Sequence, residues 1–415
     1  MMIAWQGTIE TVAEQGVTSK SRIPARIDSA SRDSDGFPFT FASDMRLSHL
    51  LPLLFGIALV SGSLSAAGAD RHDVEPSPAK LAASGIHHAP RTSKGFENND
   101  GPLPRGSLLK WKWNAFIHHL PPPPANGYAF PIDHPDIDWI KANRSVNTLT
   151  WIGHASVLLQ IAGLNVLADP VFSERASPFS FIGPKRRVPP GLSLSQLPHI
   201  DVVLISHSHY DHLDVNSVLA LNKQSGGPPR FLVPLGLKSW FAKQGITNVE
   251  ERDWGDRTRI ADLDFWFVPA THWSARSLTD RDESLWGGWV IKTLPGAVSP
   301  YSAYFAGDSG YSNDFKRIGA AFGGFDLALL PMGAYAPRWF MHGQHMDPAD
   351  AVKAFQDIHA KKAIGIHWGT FELTDEPLDE PPKKLAAATR AAGLPHDAFT
   401  VLHHGQMIRL DAEAK

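Results

Sequence analysis

The sequence of 415 residues contains no cysteine. Disulfide bonds, thiolate nucleophiles, iron–sulfur clusters and cysteine-ligated zinc are therefore all excluded. Neither sign of charge dominates, because 39 lysines and arginines face 42 aspartates and glutamates, for a formal net charge of -3. This balance excludes a nucleic-acid binder that relies on positive charge over the whole chain. Histidine, by contrast, occurs 20 times, and without cysteine it is the main soft ligand left for a metal ion.

Long apolar runs are also scarce, and the clearest lies near the beginning of the chain. Residues 1–44 are polar and mixed in charge, which predicts a disordered region or a mis-assigned start. Residues 45–69 then show the layout of a secretory signal peptide, with the apolar run LLPLLFGIALV and small residues before Asp70. The alternative is a buried helix of the fold. We expect a true start at Met45 and an exported, periplasmic or cell-envelope protein; without that start, it would be cytoplasmic or membrane-associated.

Residues 70–145 are expected to form an extended N-terminal segment with little regular structure. A run of four prolines at 121–124 predicts a polyproline II spacer. The aromatic residues Trp111, Trp113 and Phe116 precede it. Aromatic side chains mostly fill cores, so we expect this part to pack on the main domain, with a membrane-facing patch as the alternative.

The main domain is predicted over residues 146–415, where short apolar runs alternate with helical stretches. Strands are predicted at 148–152, 157–161, 165–168, 202–206, 231–233, 265–269, 289–292, 303–306, 327–330, 363–366 and 400–402. Helices are predicted at 214–222, 235–244, 313–321, 347–359 and 381–392. Strands and helices mixed through one block indicate a layered α/β or α+β domain.

The strongest signal for chemistry is the run SHSHYDH at 206–212, which follows an apolar strand. In an extended segment His207 and His209 point to the same side, because side chains repeat every two residues, so they can bind one ion. Asp211 and His212 can face a second ion after the chain turns. Imidazole nitrogen and carboxylate oxygen suit Zn²⁺, Fe or Mn²⁺. A solvated loop is the alternative explanation of this run.

One loop cannot complete two metal sites, so further ligands must come from elsewhere in the chain. His272, Asp308 and His367 each follow a predicted apolar strand, which would deliver them to the same edge of a sheet. Taken singly, such a histidine is more often structural, and an aspartate after glycine is usually part of a turn. Together with the histidine-rich loop, the three residues predict a binuclear metal site.

This ordered set resembles the metallo-β-lactamase superfamily, whose binuclear members have an H-x-H-x-D-H loop followed by a His, a bridging Asp and a final His. More narrowly, residues 148–410 resemble the N-acylphosphatidylethanolamine-hydrolysing phospholipase D family. Beside the loop, the resemblance rests on WIGHAS at 151–156, ADP at 168–170, RASP at 175–178, GPKR at 183–186, VPLGL at 233–237, FAGDSGY at 305–311, GAYAPRWFM at 333–341 and HWGTF at 367–371. It implies an α/β fold, the four-layered αββα metallo-β-lactamase sandwich.

The resemblance also implies a role for each site residue. It divides the ligands between two zinc ions, one bound by His207, His209 and His272, the other by Asp211, His212 and His367, with Asp308 bridging both. Asp211 would also orient a hydroxide and relay a proton, and His345 would lie beside the reacting phosphate rather than simply begin a helix. His154 and Asp169 are interpreted as groups that orient the ligands, or alternatively as turn residues at strand ends.

We therefore expect a binuclear zinc phosphodiesterase of the phospholipase D type, which hydrolyses N-acylphosphatidylethanolamine-like phospholipids to N-acylethanolamine and phosphatidate. A hydroxide held by two cations would attack phosphorus in line, without a covalent intermediate. The alternatives are another hydrolase of the superfamily, such as a lactonase, a cyclic-nucleotide phosphodiesterase or a nuclease, and a non-catalytic metal-binding envelope protein. The expected partners are the lipid, a peripheral membrane contact and, from the resemblance, a second subunit in a homodimer; nothing indicates nucleic acid as a partner.

Overall fold

The computed structural model of the protein describes residues 75–103, 106–117, 124–297 and 299–410. The predicted disordered start, the signal peptide and residues 121–123 of the proline run lie outside the described residues. Within those described, no helix is both long and apolar enough to cross a bilayer.

The segment before the main domain contains more regular structure than its sequence predicts. Its elements are α1 (Pro78–Ala83), β1 (Arg91–Thr92), β2 (Gly95–Phe96), α2 (Leu108–Ile117) and α3 (Ile137–Ala142). Helices of 10 residues or fewer are marginal alone, so these depend on packing. Trp111 is buried and its ring lies 5.1 Å from that of Phe340, whereas Trp113 is 62% exposed. Helix α2 therefore packs on the main domain through Trp111 and exposes Trp113 to the outside.

The first of two large sheets is formed by the first half of the main domain and the last strand of the chain. Its strands, in spatial order, are β16 (Met407–Arg409), β3 (Thr148–Gly153), β4 (Ser156–Ile161), β5 (Leu164–Ala168), β6 (Val202–Leu204), β7 (Arg230–Pro234) and β8 (Val249–Arg252). Pairing is antiparallel from β16 to β5 and parallel from β5 to β8.

The second sheet also consists of an antiparallel part followed by a parallel part. Its strands, in spatial order, are β15 (Phe399–Thr400), β14 (Ala360–Ile366), β13 (Phe325–Pro331), β12 (Ser302–Phe305), β11 (Gly288–Thr293), β10 (Leu263–Val268) and β9 (Arg257–Ile260). Pairing is antiparallel from β9 to β12 and parallel from β12 to β15. Parallel strands need covered faces, which predicts helices outside both sheets.

Helices cover the outer faces, and the strands are apolar on both sides. The remaining helices are α4 (Val215–Asn222), α5 (Lys238–Lys243), α6 (Asp314–Phe322), α7 (Arg338–Met341), α8 (Pro348–Asp357) and α9 (Glu380–Ala391). In β4, Val157 and Leu159 lie in the core that joins the two sheets, whereas Leu158 packs outside with Val218 of α4 and Phe241 of α5. On the second sheet, α8 contacts β13 and β14, and α9 contacts β15. The predicted α/β class and four-layered sandwich are confirmed.

Three strands of the two large sheets, β8, β9 and β16, have no counterpart in the sequence-based prediction, and all three are edge strands. Their sequences, VEER, RTRI and MIR, carry charge instead of an apolar run. In β8, Glu250 forms ion pairs with Arg252 and with Arg230 of the neighbouring strand. Charged side chains are common on edge strands because they discourage pairing with other chains, so a search for apolar runs misses them.

Candidate metal centre

The predicted ligands lie in loops that follow the carboxyl ends of strands from both sheets. The loop that contains His207, His209, Asp211 and His212 follows β6, and His272, Asp308 and His367 follow β10, β12 and β14, respectively. Parallel strands end at the same edge of a sheet, and the two sheets face one another, so these loops converge. The structure brings all seven side chains into one cluster, in which Asp211 is half-buried and the other six are buried.

Three histidines form the first half of this cluster. His207 Nε2 lies 2.8 Å from His209 Nδ1, and His272 Nε2 lies 3.3 Å from the same atom. Burial lowers the pKa of His207 and His209 well below the ordinary histidine value and that of His272 to about 4. The rings are therefore neutral at pH 7, as metal ligands must be. Two nitrogens that each bind a tetrahedral zinc at about 2.0–2.1 Å lie roughly 3.3 Å apart. The distance between His272 and His209 matches this value, and that between His207 and His209 is shorter.

A second group is centred on Asp211. Its Oδ2 atom lies 3.1 Å from Nε2 of His154, 3.4 Å from Nε2 of His367 and 3.6 Å from Nε2 of His212. Burial lowers the pKa of His154 to about 3, so its ring is neutral and can donate Nε2–H to the carboxylate. This contact is the one expected of a residue that orients a ligand.

Asp308 lies between the two groups. Its Oδ2 atom is 3.0 Å from His367 Nε2 and 3.1 Å from His212 Nε2, and it is 3.8 Å and 3.9 Å from Nε2 of His272 and His207. Asp308 Oδ1 and the Nε2 atoms of His212 and His367 are buried without a hydrogen-bond partner among the described residues. Buried polar atoms without partners are costly, and here they converge, so the donor set fits metal cations.

The charges of the second group are consistent with a cation site. Burial by itself lowers the pKa of His212 and His367, but the carboxylates of Asp308 and Asp211 outweigh it. The pKa of His212 is raised well above the ordinary value, and that of His367 is raised to about 9. Without metal, protons on these rings balance the two carboxylates; binding of a metal cation would release them.

Asp169 orients the histidine-rich loop through hydrogen bonds to its carboxylate. Its carboxylate accepts hydrogen bonds from His212 Nδ1 at 2.6 Å, from the Ser206 amide at 2.7 Å and from the Ser206 hydroxyl at 2.5 Å. Asp169 follows β5, and its φ of 40° lies in the left-handed region, as do those of His154 and His367 at 55° and 64°. Such conformations cost free energy and persist where the surroundings impose them, often at functional sites.

One residue that supports the site was not predicted from the sequence. Arg276 Nη1 donates to the carbonyl of Ser208 at 2.7 Å and to that of Leu213 at 2.8 Å, and the guanidinium lies over the rings of Tyr210 and Trp240. Arg276 thereby links Ser208, within the histidine-rich loop, to Leu213, directly after it. A lone arginine in a polar loop gives no sequence signal for this role, because its partners are backbone carbonyls 63 and 68 positions away.

His345 lies at the entrance of the cluster. A cavity of about 120 Å³ opens there, and its walls include His209, Asp211, Asp308 and His345. His345 Nδ1 is 3.9 Å from Asp308 Oδ2 and has no hydrogen-bond partner in the described part of the chain. The Arg338 guanidinium fixes the backbone by donating to the His345 carbonyl at 2.9 Å. Because His345 lines the cavity, its ring can contact a molecule bound there.

Comparisons with known proteins agree with this fold. A family model described as "Beta-lactamase superfamily domain" matches residues 164–368, and a metal-dependent hydrolase of Methanopyrus kandleri is 31% identical over 59% of this chain and 93% of its own. The protein is a metal-dependent hydrolase of the metallo-β-lactamase superfamily.

Two further relatives narrow the family. "N-acyl-phosphatidylethanolamine-hydrolyzing phospholipase D 1" of Caenorhabditis elegans is 42% identical over 57% of this chain and 68% of that protein. "N-acyl-phosphatidylethanolamine-hydrolyzing phospholipase D, mitochondrial" of Saccharomyces cerevisiae is 33% identical over 72% and 66%. The chain belongs to the N-acyl-phosphatidylethanolamine-hydrolysing phospholipase D family.

Proposed function

We propose that the protein is a binuclear zinc phosphodiesterase that hydrolyses N-acylphosphatidylethanolamine-like phospholipids to N-acylethanolamine and phosphatidate. The observation that carries the proposal is the position of the Asp308 carboxylate between two groups of buried imidazoles. A carboxylate that contacts both groups is suited to hold two cations close together. The names of the relatives supply the substrate class.

Side chains of this protein would assist attack on the phosphorus. Two divalent cations held by the seven predicted ligands would acidify the attacking water and neutralise charge on the phosphoryl oxygens. Asp211, which accepts a hydrogen bond from His154, would orient the attacking oxygen and take its proton. His345, at the cavity wall, would donate a hydrogen bond to a phosphoryl oxygen or to the leaving oxygen. As the attacking oxygen bonds to phosphorus, the bond from phosphorus to the ethanolamide oxygen would break, and that oxygen would take up the proton that Asp211 received from the attacking water.

The surroundings of the cavity have room for a lipid. The cavity at the cluster is smaller than typical pockets for small molecules, which have volumes of about 300–1,000 Å³. A cleft of about 290 Å³ adjoins it at Gln344, with Trp339 and Phe340 among its walls. A second cleft, of about 400 Å³, adjoins it at Trp273. A phosphodiester bound at the cluster could therefore extend its substituents into both clefts.

The proposal is tested with purified protein, zinc and N-acylphosphatidylethanolamine. We expect equimolar phosphatidate and N-acylethanolamine, loss of both products after treatment with a chelator, and recovery when zinc is restored. Metal analysis of the active protein should give two ions per chain. A panel with a lactone and a cyclic nucleotide separates the other hydrolases of the superfamily. Turnover of one of these without any phosphatidate from the lipid would refute the phospholipase assignment.

We also propose that the entrance of the cavity rests on a phospholipid bilayer. Most of the large apolar side chains that are exposed in the described residues lie on elements beside the cavity and its clefts: α2 with Leu108, Leu109, Trp113 and Ile117, the 176–184 loop with Phe179 and Phe181, Leu278, and Trp339 of α7. We name this set the apolar rim. The association of these exposed side chains with elements that line the cavity and its clefts favours an interaction site.

Replacing Leu109 and Trp113 together with serine is expected to reduce vesicle binding at least tenfold. The two residues are four positions apart on α2, so they share one helix face, and they are 80% and 62% exposed. Their loss removes apolar area from the membrane contact without disturbing the core. Co-flotation with phospholipid vesicles measures binding, and hydrolysis of a short-chain, water-soluble diester should stay unchanged. The control is Ile132→Ser, an exposed apolar residue outside the rim elements. Equal flotation of the double variant and the wild type would contradict the bilayer proposal.

Export and dimer formation are part of the same proposal. We infer from the sequence pattern before Asp70 that the mature protein starts there and acts in the cell envelope. Sequencing the amino terminus of the protein from its native host tests this, and a mature start at Met1 would refute it. The homodimer is tested by analytical ultracentrifugation, in which a single species of monomer mass at micromolar concentration would refute it.

A further inference from the structure

A side chain from the N-terminal segment binds the backbone of a predicted metal ligand. Asn98 Nδ2 donates to the carbonyl oxygen of His272 at 3.0 Å, and Asn98 Oδ1 accepts from the His272 amide, also at 3.0 Å. Asn98 is only 5% exposed. The side-chain amide of Asn98 thereby satisfies both backbone polar groups of His272. Asn98 lies outside residues 164–368, the region that the superfamily domain matches.

Neighbouring bonds fix the orientation of this amide and of the imidazole. Trp286 Nε1 donates to Asn98 Oδ1 at 2.9 Å, and an indole N–H can only donate, so the oxygen of the amide must face it. The Nδ1 atom of His272 lies 2.9 Å from the carbonyl oxygen of Gln344 and can donate to it. That bond places the proton on Nδ1 and leaves the lone pair of Nε2 facing the cluster, as a metal ligand requires. Asn98 therefore holds the backbone of His272 while Gln344 holds its ring.

The segment that carries Asn98 is attached to the main domain by several bonds. We name residues 86–103 the N-terminal strap. The amide of Ala89 donates to Asp253 Oδ1, and that of Phe96 donates to the Asp282 carbonyl, both at 2.9 Å. The Phe96 side chain is buried in the same core as both sheets. Asn99 Nδ2 donates to Asp314 Oδ1 at 2.8 Å. The strap is thus docked on both sides of the residue that contacts His272.

We propose that Asn98 is a positioning residue for His272 and that docking of the N-terminal strap is energetically coupled to metal binding. This inference rests on the proposed metal centre. When the strap is docked, His272 is already oriented, so less ordering is left for the metal to impose. Coupling is reciprocal in equilibrium binding, so metal must stabilise the docked strap by the same factor by which the strap strengthens metal binding.

The first test compares zinc affinity in Asn98→Ala and in a matched control. Asn143 is also a buried asparagine, 6% exposed, whose amide binds both the N–H and the carbonyl of one residue, Val146, away from the metal cluster. Competition with a chromophoric chelator should show roughly tenfold weaker zinc binding for Asn98→Ala and no change for Asn143→Ala. The absorption spectrum of the cobalt-substituted protein should change only in Asn98→Ala, because only there does the ligand geometry change.

The second test measures the reciprocal effect. Hydrogen exchange at the amides of Ala89 and Phe96 should slow when zinc is added to the wild type, and less so in Asn98→Ala. If Asn98→Ala does not fold, Asn98→Ser replaces it, because this variant adds no charge and is too short to make both bonds to the His272 backbone. Wild-type zinc affinity in a folded Asn98 variant, or strap exchange that is unaffected by zinc, would overturn the inference alone. A wild-type protein that binds no metal would overturn the metal centre as well.

Discussion

Asp308→Asn is expected to lower kcat/KM for the phospholipid by about 10³-fold or more. Asp308 is the one carboxylate in the described cluster whose oxygen lies within 4 Å of imidazoles from both groups. Asparagine has nearly the same shape but no charge, so the bridge between two dications would lose its compensating negative charge. Losing a few kcal/mol of transition-state stabilisation corresponds to a change of this size, since about 1.4 kcal/mol is tenfold.

The same substitution should reduce bound metal as well as activity. We expect metal analysis to fall from two ions per chain in the wild type to one or fewer in Asp308→Asn. The matched control is Asp264→Asn, because Asp264 is also buried but pairs with Arg259, away from the cluster. That control should keep its metal and its kcat/KM while losing some stability. Full metal content together with near wild-type activity in Asp308→Asn would remove the basis of the binuclear mechanism.

The chemistry of the cluster could be predicted because its ligands are marked in the sequence. The histidine-rich loop concentrates four candidate ligands within a few residues, and the ends of β10, β12 and β14 are visible as apolar runs followed by a histidine or an aspartate. The convergence of these strand ends follows from the layered fold that the alternation of strands and helices predicts. That these side chains meet is a geometric finding, and their role as metal ligands remains a prediction.

The residues that position the ligands of the cluster could not be predicted in the same way. Asn98 and Arg276 act through backbone atoms of residues far away in sequence, and such contacts leave no composition or periodicity that a sequence pattern detects. Strand β6 ends at Leu204 and the chain bends from Ser208, whereas the sequence predicts an extended course through His209. His207 and His209 converge there because Asp169 and Arg276 hold the loop, which is a tertiary effect that overrides local preference.

Asp169→Asn is expected to weaken zinc binding by 10- to 100-fold, the usual effect of losing the partner of a metal-binding histidine. Asp169 Oδ2 accepts from His212 Nδ1 and keeps a proton there, so the proton that a metal displaces from His212 is the one on Nε2. In the variant, the asparagine oxygen can take the place of Oδ1 and still accept from the Ser206 amide. The asparagine NH₂ group then takes the place of Oδ2 and faces His212. That group donates to Nδ1 and moves the ring proton to Nε2, the atom that should bind the metal.

The backbone should tolerate this change, so the effect is expected in metal binding more than in folding. Asparagine adopts the left-handed conformation that residue 169 has more readily than most other residues. The matched control is Asp201→Asn, at the opposite end of β6, where the carboxylate accepts from the Asn165 amide at 2.7 Å. Chelator competition should separate the two variants, and excess zinc should restore part of the activity of Asp169→Asn. Unchanged zinc affinity in that variant would show that Asp169 is only a turn residue, because the proton position on His212 would then not depend on its carboxylate.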